Sequence, residues 1–285
     1  MLEIRSNTLP DRLAARPAAC NKGDFGAVAV IGGAPGMAGA ALLAARAALY
    51  CGAGRVYAGL LDERIGLDPA APELMVTRPE ALPILSAPAC LVAGPGLGQS
   101  AAAHAVLWAT LALELPLLLD ADALNLIAAD PGLRARVRAR AAPTLLTPHP
   151  GEAGRLLGKT SAAVQGDRLG SVFQLCADFR AVAILKGSGT LVQAPEGEVW
   201  RNHSGNPGMA APGMGDVLTG ILAALIAQGM GTEAAAVTGV WLHGAAADLA
   251  VEEDLGPVGL TASELLPRVR RLLNSAAMRQ APGGY

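Results

Sequence analysis

Aromatic side chains are scarce, with three each of Phe, Trp and Tyr in 285 residues. A core of ordinary size must therefore be assembled from Ala, Leu, Val and Ile. Small side chains of this kind let helices approach a sheet closely. Charge is scarce too, at 16% of residues against 52% hydrophobic. That balance excludes a disordered chain. Positive charge is not in surplus either. The net value is −2, which excludes the basic domain that a nucleic-acid partner requires. The densest basic run, Arg134, Arg136, Arg138 and Arg140, reads as a solvated helix or helix end.

The four cysteines, Cys20, Cys51, Cys90 and Cys176, include no Cys-x-x-Cys pair, and none lies near a His at metal-ligand spacing. Neither a zinc site nor a disulfide framework is expected; these read as buried thiols in a reducing compartment. The N-terminus carries Glu3 and Asp11 and lacks an apolar stretch of signal-peptide type. The most apolar window, Ala101 to Leu119, contains His104, Glu114 and Pro116. It reads as a buried helix followed by a strand, not as a membrane span. A cytoplasmic chain with no membrane partner is expected.

What the sequence does contain is an alternation of apolar strands and helical stretches. Ala27–Ile31, Arg55–Leu60, Ala89–Ala93, Leu117–Leu119, Thr144–Thr147 and Ala181–Leu185 read as strands. A helix is expected over Ala38–Tyr50. Continuously apolar strands are covered on both faces, which implies a mainly parallel sheet flanked by helices on each side. After Lys186, Thr190–Gln193 and Glu198–Arg201 read as two short strands. Helices follow near Gly215–Gln228, Ala234–Val251 and Ala262–Asn274. No repeat, linker or boundary divides the chain, so residues 1–285 read as one domain. The stretch to about Lys22 and the tail after Ala277 are expected to be less ordered.

Gly, Pro, Asp, His and Lys gather where the strands stop: Gly32-Gly33, Gly94-Pro95-Gly96-Leu97-Gly98, Asp120-Ala121-Asp122, Thr147-Pro148-His149-Pro150 and Lys186-Gly187-Ser188-Gly189-Thr190. Ligands of open α/β sheets bind at the carboxyl ends of strands, so these segments are expected to converge. The strongest chemical signal is Gly205-Asn206-Pro207-Gly208 through Gly213-Met214-Gly215-Asp216 ahead of an apolar helix. Such a helix start offers free N–H groups and a positive dipole end to an anion. Asp216 there can accept a proton from a hydroxyl, or simply cap the helix. Lys186 to Thr190 fits a phosphate loop or a hairpin turn. Asp120 and Asp122 could meet substrate or Mg²⁺ through water, or cap a helix beginning near Ala123. His149 stands in a rigid turn as a ligand contact or a hydrogen-bonded loop residue. Two other patterns fail. Gly158-Lys159-Thr160 lacks the earlier glycine of a phosphate-binding P-loop, with Ala153 in its place. Gly94–Gly98 closes one residue too early for a dinucleotide fingerprint.

Taken together, seven segments in register resemble the dehydratase domain of the carbohydrate kinase-like NAD(P)H-hydrate repair enzymes. They are Lys22–Gly26, Gly36–Ala41, Gly94–Gly98, Asp120–Asn125, Thr147–Glu152, Lys186–Thr190 and Gly205–Asp216. The resemblance implies a ribokinase-like fold. It implies conversion of the S epimer of hydrated NADH or NADPH back to the cofactor, with ADP becoming AMP and phosphate and with Mg²⁺ present. In such enzymes the hydroxyl on the damaged ring is phosphorylated, and the ring nitrogen helps expel phosphate. By the same resemblance Asp216 is the base, and the backbone of Gly213, Met214, Gly215 and Asp216 forms the anion hole. Lys186, Gly187, Ser188, Gly189, Thr190 and Gly215 hold the nucleotide. Ala40, Ala41, Gly96, Gly98, His149, Asn206 and Asp216 face the hydrate. No protein metal site is implied, and a homo-oligomer, a tetramer by analogy, is. The chain begins about where the dehydratase domain would, which leaves no room for an epimerase domain ahead of it. A common form of the last motif has Thr-Gly-Gly-Thr or Ser before Gly-Asp, where this chain has Ala211-Pro212-Gly213-Met214. Pro212 has no N–H to donate. Two alternatives stand beside this reading. One is a small-molecule kinase of the same fold acting on a vitamin-precursor alcohol, against which Gly94–Gly98 and Thr147–Glu152 speak. The other is a nucleotide-binding regulator without catalysis, against which Asp216 and Lys186 speak.

Overall fold

The apolar runs become strands of a single sheet. The computed structural model describes residues 1–275 apart from 83, 84 and 86–88. In chain order the elements are β1 (Leu2–Ile4), β2 (Ala27–Gly32), α1 (Ala38–Tyr50), β3 (Arg55–Leu60), β4 (Met75–Thr77), β5 (Ala89–Ala93), α2 (Ala101–Thr110), β6 (Leu117–Leu119), α3 (Ala121–Ala129), α4 (Pro131–Ala139), β7 (Thr144–Leu146), α5 (Pro150–Leu157), α6 (Ser161–Gly166), α7 (Arg168–Phe179), β8 (Val182–Leu185), β9 (Leu191–Gln193), β10 (Trp200–Asn202), α8 (Met214–Ala227), α9 (Thr232–Glu252) and α10 (Ala262–Leu273). The ten-stranded sheet has the order β1-β10-β9-β8-β7-β6-β5-β2-β3-β4. Every pairing from β4 across to β8 is parallel. Only β9 runs antiparallel to its neighbours, and β1 closes the far edge parallel to β10. The mainly parallel sheet with helices on both faces is the architecture the sequence implies.

Side chains alternate across the sheet with the period of two that strands impose. Val28, Val30, Cys90, Val92 and Leu118 point to the face covered by α1, α8, α9 and α10. Ala29, Ile31, Leu91, Ala93, Leu117 and Leu119 point to the face covered by α2, α3, α5 and α7. Helix α8 is buried at every residue from Val217 to Ala227, the mark of a core helix rather than an amphipathic surface one. Its contact with α1 depends on small residues. A side chain on Gly220 would begin 2.1 Å from the Ala44 carbonyl oxygen and 2.6 Å from the Ala47 Cβ. Helix α9 is the one described helix long and apolar enough to cross a membrane, and 67% of its most apolar window is buried inside the protein. It packs between α8 and α10.

Four expectations change. Cys20, read as a buried thiol, is exposed, while Cys51, Cys90 and Cys176 are buried. The N-terminal stretch is not loose throughout. Leu2–Ile4 pairs with β10, Ile4 is buried, and Asn21 and Asp24 form a reciprocal cap over residues 22–25. A three-residue strand carries too little pattern to be read without its partner. The helix after β6 starts at Ala121 rather than near Ala123. The basic run lies in and just after α4, and it is a set of ties more than a solvated face. Arg134 donates to the Leu156 carbonyl and Asp178, Arg136 stacks on Trp108, and Arg140 donates to the carbonyls of Leu111, Leu113 and Leu115. The tail after Ala277 lies outside the described residues.

Close packing at Gly220 makes a direct test. Gly220→Ala would force a methyl group into the Ala44 backbone of α1, and overpacking of this kind costs about 1–3 kcal/mol. Chemical denaturation should show that loss of stability. An unchanged unfolding midpoint would mean that α1 and α8 slide apart freely.

Candidate active site

Parallel strands place all their carboxyl ends on one edge, and there the loops touch backbone to backbone. Gly33 N–H donates to the Pro95 carbonyl at 3.0 Å and Ala34 N–H to the Gly96 carbonyl at 2.6 Å. A side chain on Gly94 would begin 1.8 Å from the Asp120 carbonyl oxygen, so only glycine permits that approach. Gly98 N–H donates to Asp122 Oδ2 at 2.9 Å, and Lys186 N–H to the Pro148 carbonyl at 2.9 Å. The strand-end segments therefore converge as their composition suggests.

At the centre lies Lys186, at the end of β8. Its ammonium donates to Asp120 Oδ1 at 2.7 Å and stands 3.7 Å from Glu152 Oε2. Thr219 Oγ, one turn into α8, donates to the other Asp120 oxygen at 3.0 Å. Asp120 thus makes no cap to α3, although it precedes that helix. The next residue, Ala121, has φ of 48°, a left-handed conformation that costs a non-glycine residue energy. Burial pulls the Lys186 ammonium down, but Asp120 and Glu152 outweigh it and hold the group above the ordinary lysine range. The opposite happens to Asp216. Burial, then the charge of Asp120, outweigh Lys186 and push its carboxyl up to about 7. A carboxylate poised near neutrality is suited to taking and giving a proton.

Asp216 sits in the first turn of α8. Gly213 enters that turn with φ of 84°, where a side chain would meet Leu43. The first intrahelical bond is Val217 N–H to the Gly213 carbonyl, so the N–H groups of Met214, Gly215 and Asp216 have no partner within the helix. Pro212 precedes this turn, and its missing donor lies outside that set. Met214 is buried and lines the cavity beside the helix start. A side chain on Gly215 would begin 3.3 Å from Lys186 Nζ, so the helix start and the buried cation lie against one another.

Beside the helix start is a cavity of about 590 Å³. Lys186–Thr190, the stretch from Asn202 to Pro207, Met214, Gly215, His149, His243 and Gly244 line it. The loop Lys186–Thr190 is at once the turn of the β8–β9 hairpin and a wall of this cavity. Thr190 Oγ donates to the Gly187 carbonyl, and Ser188 is exposed. Two arginines back the loop. Arg168 donates to the carbonyls of Leu185, Lys186 and Gly189. The Arg201 guanidinium lies 3.1 Å from where a Gly189 side chain would begin.

Several residues occupy places the sequence did not suggest. His149 lines the same cavity as Lys186–Thr190, and Gly96 and Gly98 are not among its lining residues. Its Nδ1 accepts from Gly151 and Glu152 N–H, while Glu152 caps its backbone in return. The Asn206 side chain accepts from Gly208 N–H and donates to Asp248. Ala41 is fully buried with its methyl against Gly32 and Gly33, so it has no side-chain surface for a ligand. Gly96 is buried against the Met37 carbonyl and Ala40 Cβ. Arg168, Arg201, His243 and Asp248 were not singled out from the sequence. The His243-Gly244 pair with Asp248 one turn on was the only signal for the last two. Burial holds the His243 ring uncharged, its basicity lowered to about 4.

Comparison with known proteins gives a consistent result. A family profile described as NAD(P)H-hydrate dehydratase matches residues 28–270. The ADP-dependent (S)-NAD(P)H-hydrate dehydratase of Neisseria meningitidis is 44% identical over 269 residues, covering 93% of this chain and 90% of that one. The ADP/ATP-dependent NAD(P)H-hydrate dehydratase of Bacillus subtilis, crystallised with ATP and Mg²⁺, superposes with a TM-score of 0.82 at 29% identity, covering 95% of this chain and 98% of that one. A ribokinase-like superfamily protein of Enterococcus faecalis gives a TM-score of 0.82 at 25% identity, with 95% of each chain covered. The chain spans about half the length of the bifunctional repair enzymes it also matches.

Removing the central cation should expose its role. In Lys186→Met, three carboxyl groups face one another without their counter-charge, and breaking a buried pair in this way costs about 3–5 kcal/mol. Unpaired buried carboxyls have raised pKa values, so the folded state holds protons that the unfolded chain releases. Stability of the variant should therefore fall as pH rises from about 5 to 8 more steeply than in the wild type. Parallel curves for the two proteins in thermal scans across that range would contradict this account.

Proposed function

The chain belongs to the NAD(P)H-hydrate dehydratase family, and from that premise we propose that it dehydrates the S epimer of hydrated NADH or NADPH at the expense of ADP. The observation that carries the reading is a proton acceptor tuned to near neutrality beside an unpartnered helix N-terminus, with a phosphate-type loop next to it.

In this reading the nucleotide occupies the 590 Å³ cavity, with its phosphates toward Gly187–Thr190 and the start of α8. The N–H groups of Met214, Gly215 and Asp216 meet the charge that develops on the transferring phosphoryl group, as donors fixed in advance do. Asp216 takes the proton from the hydroxyl of the hydrate as its oxygen attacks the β-phosphorus of ADP, and AMP leaves. The hydroxyl oxygen then departs with the phosphate, driven by the lone pair of the ring nitrogen. Loss of a proton from the adjacent carbon restores the double bond. Lys186 is a positioning residue here. Its single charge offsets part of the negative charge of Asp120 and Glu152, so that Asp216 can ionise near neutral pH instead of well above it.

No three His, Cys, Asp or Glu side chains converge to hold a metal ion among the described residues. Asp120 and Asp122 are engaged by Lys186, Thr219 and Gly98. The Mg²⁺ that accompanies a diphosphate would therefore be held chiefly by the nucleotide, where it offsets phosphate charge.

Asp216→Asn keeps size and capping ability but removes the proton acceptor. Turnover of hydrated NADH with ADP, followed by the return of reduced-nicotinamide absorbance, should fall by about 10²–10⁴-fold. The wild-type rate should rise with pH to a plateau with its midpoint near 7, because only ionised Asp216 accepts a proton. Below that midpoint the rate should drop about tenfold per pH unit. The carboxyl is raised in the folded state, so it costs stability as pH climbs from its ordinary range to about 7. The variant should then be at least as stable as the wild type at pH 8. Near-normal turnover of Asp216→Asn would reduce Asp216 to a helix cap.

A further inference from the structure

After β10, the cavity wall from His203 to Met209 has no regular structure beyond one short turn at Pro207–Met209, yet its course is fixed from outside. Helix α9 does the fixing. Asn202 Nδ2 donates to the Ser204 carbonyl at 3.1 Å, and Ser204 Oγ donates to the Trp241 carbonyl of α9 at 3.2 Å. Gly244 of α9 makes room for this contact, since a side chain there would begin 2.3 Å from Ser204 Oγ. One turn further, Asp248 accepts from Gly205 N–H through Oδ2 at 2.8 Å and from Asn206 Nδ2 through Oδ1 at 3.2 Å. Asn206 in turn accepts from Gly208 N–H through Oδ1 at 3.0 Å. The pattern of donors and acceptors is complete and has one sense only. Asp248 only accepts, Asn206 donates to it and accepts from Gly208, and two backbone N–H groups are satisfied.

We infer that Asp248 is a positioning residue for the nucleotide. Through Asn206 it holds the Gly205–Met209 wall in the shape that receives ADP. This rests on the reading of the cavity as the ADP site. It also assigns Asn206 to the wall's internal bonding, not to contact with the hydrate. A carboxylate accepting two hydrogen bonds is stronger than a neutral acceptor, and a loop with little secondary structure of its own depends on such ties.

The arrangement predicts a reciprocal exchange. In Asp248→Asn, whichever way the amide turns, an N–H faces either Gly205 N–H or Asn206 Nδ2, and one bond is lost. In Asn206→Asp, two carboxylates meet across the same gap. In the double variant Asn206→Asp/Asp248→Asn, the residue at 248 accepts from Gly205 N–H and donates to the residue at 206. The residue at 206 still accepts from Gly208 N–H, so every bond returns with its direction reversed between the two side chains.

Titration calorimetry with ADP on the four full-length proteins tests this. Each single variant should bind ADP about tenfold or more weakly, the worth of one charge-assisted hydrogen bond. The double variant should return to within about threefold of the wild type, under half the worth of that bond. In turnover assays the singles should show a raised KM for ADP, with the pH midpoint set by Asp216 unmoved. General loosening of the fold would instead lower the melting temperature and leave the double variant no better than the singles. Singles that bind ADP like the wild type, or a double variant that stays weak, overturn the assignment. If the wild type itself fails to bind ADP, the nucleotide reading of the cavity falls, and this inference with it.

Discussion

The Lys186 ammonium is the contact on which the site depends. It lies where the ends of β6 and β8, the start of α5 and the start of α8 meet, and each contributes a charge or dipole. Asp120 comes from β6, Glu152 from α5 and Asp216 from α8. Without a buried cation three carboxyl groups could not share this space in ionised form. With it, their negative charge is partly offset and Asp216 is left near the point of ionisation. Thr219 and Asp120 extend the same network into the body of α8, so the helix start is fixed by the charge cluster as well as by packing.

Small residues are the second requirement. Few aromatics and much alanine leave the interior short of bulky side chains. That scarcity of bulk lets α1 and α8 approach until Gly220 meets the Ala44 backbone. That approach puts the unpaired end of α8 at the strand ends, where Gly33, Gly94 and Gly96 let three loops touch through their backbones. Glycine at Gly213 turns the chain into the helix in a conformation other residues resist. The free N–H groups at the start of α8 are thus placed there by steric permission, and the arginines behind Lys186–Thr190 add positive field from a separate direction.

Rigidity is divided unequally around the cavity. One wall is the β8–β9 hairpin, stapled by Arg168. Another part of the wall is irregular and takes its shape from α9 through Ser204, Gly244 and Asp248. A helix apolar enough to pass for a membrane segment is therefore a core element whose polar residues serve the site.

Much of this was legible in the chain itself. The alternation of apolar runs specifies a parallel sheet covered on both faces, because such runs can be buried in few other ways. The residues at the strand ends mark the site, and Gly213 to Asp216 mark the helix start. Seven short segments in order identify the family where any one would not. Other features depend on partners far away in sequence. The strand Leu2–Ile4 exists only because β10 offers an edge. The arginines in and just after α4 look solvated until the carbonyls they reach are folded beneath them. The hydrogen bond from Asn206 to Asp248 and the cap between His149 and Glu152 appear only when residues far apart or across a turn are brought together. Composition and periodicity fix what each segment can become, since they act over neighbouring residues. The ionisation of Asp216 and the engagement of Lys186 were decided only by the tertiary structure. Burial and the distance between charges set them, and neither is a property of any one segment.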